Sequence, residues 1–185
     1  MTTPLQPTFF GNPILREQAR TLPSDEIQSK NIVDLLSGMY DLLEQSDFGI
    51  GLAAPQVGSS VALFVLNVKP TPTLPDLKPY RETFINPTVV ELIGDPKNMR
   101  EGCISAGLGE NSLSAKVPRP NAVRLQWLDQ TGSAREETFE GFIAHTIQHE
   151  VDHLNGILFV DRVEDTTTYM LVDEYRKLIE ENESV

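Results

Sequence analysis

The stretch FIAHTIQHEVDHLN (142–155) sets Ile143, Ile147, Val151 and Leu154 at i, i+4, i+8 and i+11, with Gly141 ahead of it and Gly156 behind. That spacing predicts a half-buried helix, closed by a glycine where helices commonly end. His149 and His153 lie four apart, so they project from one face, and Glu150 directly follows the first histidine. Two imidazoles so placed can hold one divalent ion while the neighbouring carboxylate reaches its water. The rest of the chain has to supply a third ligand and a scaffold.

A catalytic centre of this type takes three protein ligands and leaves a position for water. A third histidine ten residues after the first, as in one class of metalloproteases, would fall at residue 159, which is Phe159. A thermolysin-like arrangement would draw a glutamate from a later helix, and Glu174 stands there by spacing. His145 lies one turn before His149, but three successive turns rise roughly 12 Å, too far to share an ion at ~2 Å. It is expected to line the site as a polar wall or as a satisfied half-buried histidine. Cys103, the only cysteine, sits in EGCIS (101–105) and offers a thiolate, which suits a divalent transition metal. Read alone, it is first an inert buried thiol, the common state of a cytosolic cysteine.

Further out, 185 residues fit one domain spanning 1–185. A net charge of −12 and the absence of a Lys/Arg run argue against nucleic-acid binding. Met1–Gln6 lacks a signal-peptide pattern and no stretch reaches the ~20 apolar residues of a membrane span, so a cytoplasmic protein is expected. One cysteine permits no internal disulfide, which suits the same compartment.

Ser24, Asp25 and Glu26 resemble a helix start, and Ile32, Leu36, Met39 and Leu43 continue it, predicting a helix over 24–46. VALFVLNV (61–68) reads as a buried strand, 70–81 as a proline-rich surface loop, and TFINPTVVELI (83–93) as a further strand. Val123, Leu125 and Trp127 alternate with polar residues, and DQTG (129–132) turns into SAREETFE (133–140), a hairpin. A last helix is predicted over 166–182. The sum is an α+β fold: mixed or antiparallel strands packed around a central metal-binding helix, with an N-terminal and a C-terminal helix.

Three segments in this order, GIGLAAPQ (49–56), EGCIS (101–105) and HEVDHLNG (149–156), resemble the signature motifs of the peptide deformylase family. NPILR (12–16), INP (85–87), VPRP (117–120) and GILFVDR (156–162) extend the resemblance over most of the chain. It implies a metal-dependent hydrolase that removes the formyl group from the N-terminal formyl-methionine of newly made polypeptides and releases formate. It further implies Cys103, His149 and His153 as ligands to one divalent ion per chain, Fe2+ first, with Zn2+, Ni2+ or Co2+ as substitutes. Glu150 would move the proton, and the Gln56 amide and Ile104 backbone N–H would stabilise the oxyanion. Ile50, Gly51, Gly102, His145 and Thr146 would contact the substrate, formyl-methionyl nascent peptides. Glu101 would pair with Arg119 and brace the site. Ala106-Gly107 departs from the family's usual apolar-proline continuation, and His145 and Thr146 from its apolar or small residues. A more flexible cleft rim and a more polar pocket wall are therefore expected. The rival readings are the thermolysin-like protease using Glu174 and a deformylase-like binding module without catalysis.

Overall fold

The computed structural model describes residues 4–46, 49–70 and 77–183. The first long helix, α1 (Lys30–Glu44), starts later than the 24–46 reading expects. Pro23–Ser29 folds as turns, with the Glu26 N–H donating to Pro23 O at 3.0 Å and the Ser29 N–H to Glu26 O at 2.9 Å. Ser29, not Ser24, caps the helix through its side chain onto the Ile32 N–H. The turns let Leu22 and Ile27 drop into the same core as Ile32, Leu36, Met39 and Leu43.

Five strands follow chain order in one antiparallel sheet: β1 (Gly51–Ala53), β2 (Leu63–Val68), β3 (Tyr80–Gly102), β4 (Leu113–Leu128) and β5 (Ala134–Glu140). A short β6 (Met170–Leu171) pairs with the start of β4. The sheet is thus antiparallel rather than mixed, the one parallel contact among the described residues being the isolated Arg20–Val61 bridge. β2 is buried on both faces, as its unbroken apolar run foretells. β3 runs 23 residues, far beyond the 83–93 expected, and survives its two prolines by shifting register against β4 between Ile85 and Thr88 and between Ile93 and Pro96. At the first shift Asn86 adopts φ +50°, and its amide bonds both the N–H and C=O of Leu22 at 2.8 Å. Of the predicted 70–81 loop, 71–76 lies outside the described residues, and Tyr80 and Arg81 already belong to β3. The β4–β5 hairpin turns where DQTG predicts, around Asp129.

The central helix, α2 (Gly141–Leu154), packs against β4, β5 and β1. It is more than half-buried: its polar residues His145, Gln148, His149, Glu150, Asp152 and His153 are as enclosed as Ala144, Ile147 and Leu154. A helix between apolar packing and a polar site hides both faces. Gly156 stands just past the helix at φ +71°, and a Cβ there would lie 2.5 Å from Arg16 O, so glycine is required. The last helix, α3 (Val172–Glu183), is shorter than the 166–182 reading. Thr166–Thr168 forms one 3-10 turn capped by Asp165, and Met170–Leu171 leaves the helical path to pair with β4. Among the described residues no helix is long and apolar enough to cross a membrane.

Candidate active site

β3 ends at Gly102 and delivers Cys103 to the face of α2 that carries His149 and His153. Cys103 Sγ lies 3.3 Å from His153 Nε2, and the two histidine Nε2 atoms lie 3.2 Å apart. The three potential ligand atoms fall within 4.8 Å of one another, and all three side chains are buried. A thiolate and two imidazoles converging on one point fit a divalent transition metal, with room left for water. Glu174 plays no part: its side chain is 58% exposed on α3 and holds Lys177 at 2.8 Å. Phe159 stacks on the His149 ring at 6.2 Å and walls the site.

The His149 Nδ1–H donates to Glu101 Oε2 at 2.6 Å, which aims Nε2 at the Cys103 sulfur. Arg119 grips the same carboxylate with Nε at 2.5 Å and Nη2 at 3.1 Å, the expected pairing. Arg119 Nη1 also donates to Asp152 Oδ2 at 2.7 Å, and Arg162 reaches Asp152 from the surface at 2.8 Å. Asp152 and Arg162 were missed in the sequence, where a lone Asp three residues past His149 gives no sign of a partner 33 positions earlier. His145 Nε2 comes within 2.5 Å of Glu101 Oε1, but off the ring's N–H direction, a close approach rather than an aligned hydrogen bond. Burial favours the neutral acid at Glu101, yet the His149 charge, the close His145 ring and the bonds from His149 and Arg119 hold it well below the usual carboxylate range. His153 is held well below an ordinary histidine by burial and by His149, so its Nε2 lone pair is free for a ligand role.

Gln56 sits in the 3-10 turn Ala54–Val57 behind β1. Its Oε1 accepts the Ala53 N–H at 2.8 Å, which leaves Nε2 pointing at Cys103 Sγ at 3.2 Å and Ser105 Oγ at 3.4 Å. Ile104 opens the 3-10 turn after the cysteine. The Glu150 carboxyl presses on Gly51, where a Cβ would collide with Oε1. Glu150 Oε2 is buried without a protein partner among the described residues, and burial pushes the carboxyl up to about 7.

One cleft of about 1460 Å³ brings together Ile50, Gly51, Gln56, Gly102, Cys103, Ile104, His145, Thr146, His149 and Glu150. On its wall the Thr146 hydroxyl donates to Phe142 O at 2.9 Å and His145 faces Glu101. At Gly102 a Cβ would meet nothing closer than 3.8 Å, so no neighbour in the chain forces glycine there. Gly107 is forced: at φ +137° a Cβ would lie 2.9 Å from Asn111 O. The departing Ala106-Gly107 rim is thus a defined turn rather than simply a looser one.

The family model for polypeptide deformylase matches residues 8–169. The chain belongs to the peptide deformylase family. A peptide deformylase of Leptospira biflexa is 34% identical over 167 residues, covering 86% of this chain and 88% of that protein. Peptide deformylase 2 of a Nostoc species is 32% identical over 174 residues, covering 94% and 93%. The Met-Ala-Ser-bound class I type b peptide deformylase of Acinetobacter baumannii superposes with a TM-score of 0.80 at 32% identity, over 88% of this chain and all of that one. The Synechococcus elongatus deformylase in complex with actinonin gives 0.76 at 32% identity, over 91% and 85%. As a deformylase the protein is a hydrolase acting on N-formyl-methionyl peptides, with a catalytic divalent metal, and the Cys103, His149 and His153 cluster is a possible site for it.

Proposed function

We propose that residues 1–185 act as one catalytic domain that deformylates nascent chains in the cytoplasm, with Cys103, His149 and His153 as the metal ligands. The observation that carries the assignment is the convergence of the Glu150 carboxyl and the Gln56 amide on the cleft beside that cluster. Ferrous iron is the proposed native ion; Zn2+, Ni2+ or Co2+ satisfy the same donors. When bound, a divalent ion lowers the pKa of a water and polarises the formyl oxygen.

Glu150 takes the proton from the attacking water and returns it to the departing amine. A carboxyl titrating at about 7 suits both directions of transfer near neutral pH. Gln56 Nε2 and the Ile104 N–H donate to the oxygen that gains charge in the tetrahedral intermediate; losing one such donor costs ~3 kcal/mol of barrier. Gly51 and Gly102 let the peptide backbone approach, and Ile50, Ile104, His145 and Thr146 shape the methionine pocket. The Met-Ala-Ser bound to the Acinetobacter relative supports a cleft that accepts methionine-led peptides.

The test is anaerobic formate release from a formyl-methionyl peptide, with metal content measured on the same samples. Glu150→Gln should lower kcat by at least ~10²-fold at unchanged metal content. Wild-type turnover in that variant would remove Glu150 from its role, and iron-free protein of full activity would remove iron.

A further inference from the structure

The N-terminal segment 4–10 belongs to none of the three motifs, yet it bonds to the two turns that carry Gln56 and Cys103 and reaches the histidine helix through Phe159. The Thr8 N–H donates to Gln56 O at 2.7 Å, and two residues on the Phe10 N–H donates to Ser105 O at 2.9 Å. The Phe10 ring packs 6.3 Å from Phe159, whose other neighbour is the His149 ring at 6.2 Å. Upstream, Leu5 seats on α1 at Gly38, where a Cβ would come within 2.8 Å of Leu5 Cδ1. One extended piece of chain therefore bridges the Gln56 turn and the Cys103–Ser105 turn by backbone bonds, and leans on the histidine helix through an aromatic pair.

The two turns so bridged carry the two donors assigned to the oxyanion. The Gln56 amide itself also links them, at 3.2 Å from Cys103 Sγ and 3.4 Å from Ser105 Oγ. Those contacts involve the same NH2 that must turn to the substrate oxygen. The backbone bonds from Thr8 and Phe10 do not use that amide. We propose that residues 5–10 form a positioning strap that sets the spacing of the Gln56 and Ile104 donors, with Thr8 and Phe10 as its two fixed points. This rests on the oxyanion roles assigned above. Because donors of this kind bind the transition state more strongly than the substrate, a shifted spacing lowers kcat and spares KM.

Thr8→Pro removes the N–H that reaches Gln56, while Thr8→Ala keeps it. With matched metal loading and a formyl-methionyl peptide, Thr8→Pro should lose ~10- to 100-fold in kcat with KM and metal content held. Thr8→Ala should stay with wild type. Gly38→Leu fills the seat of Leu5 while improving the helix propensity of α1, so it should lower kcat without lowering Tm. Wild-type kcat in Thr8→Pro, or an equal loss in Thr8→Ala, overturns the strap. If Thr8→Pro does not fold, wild-type kcat in Gly38→Leu overturns it instead. Gln56→Ala in the same assay separates the two ideas: full activity there defeats the oxyanion assignment itself, whatever the Thr8 variants do.

Discussion

Gly51 and Glu150 hold each other in place. Any side chain at 51 occupies the space of the Glu150 carboxyl, so Gly51→Ala should displace that carboxyl and lower kcat by about 10²-fold. Metal content and the thermal melt should stay near wild type, and paired activity and metal assays check this. The sequence made Gly51 legible as a place of close backbone approach, but a clash with a residue 99 positions later has no local signal. His145 was similarly half-legible: its helical position kept it out of the ligand set, while its contact with Glu101 depends on where β3 ends. The proposed ligands cluster as the sequence suggested, since an H-E-x-x-H pair puts two of them on one helix face. Cys103 needed the motif order, because a single thiol carries no periodicity.

At the scale of elements, boundaries were harder to read than identities. Two serines five residues apart, Ser24 and Ser29, both satisfy the pattern for a helix cap, and only the burial of Leu22 and Ile27 decides for the second. β3 overran its reading because prolines normally end strands, whereas register shifts here absorb both. The β4–β5 turn was readable, since Asp129 is the residue type that gathers turn amides. It accepts from the Thr131 hydroxyl at 2.6 Å, the Thr131 N–H at 2.9 Å, the Ser133 N–H at 3.1 Å and Arg135 Nε at 2.9 Å. The Thr131 hydroxyl leads in drawing its pKa down from 3.8 to about 2, against a smaller opposing effect of burial. A depressed carboxylate adds stability that is present above about pH 3.8 and lost as pH falls toward 2. Asp129→Asn should therefore cost ~1 kcal/mol at pH 6, a difference that closes by about pH 2. Urea titrations of both proteins across this range read it directly.

Across the whole molecule, one row of alternating charges runs from Arg162 at the surface through Asp152 and Arg119 to Glu101, which in turn holds the His149 ring. Arg119 is 5% exposed, and removing it takes a charged partner from two buried carboxylates, Glu101 and Asp152. Arg119→Leu should thus destabilise the fold by ~3–5 kcal/mol, measured by denaturant unfolding of the metal-loaded protein. It should also weaken metal retention against a chelator by ~10- to 100-fold. Unchanged stability and retention would mean that the row is ornamental. Only its Arg119–Glu101 link was foreseeable from sequence; the others depend on three elements meeting.

The strand order of the sheet has a consequence for how the molecule assembles. Each of β1 to β5 pairs with its neighbour in the chain, so the sheet can grow strand by strand without crossovers, the kind of topology that forms early. The helix carrying His149 must then turn back onto β1 and β4 before it meets Cys103. Ligand convergence is a late, long-range event in that order. In stopped-flow refolding with Co2+ present, far-ultraviolet strand signal should rise before the thiolate–cobalt absorbance, and simultaneous appearance would show that the site seeds the sheet.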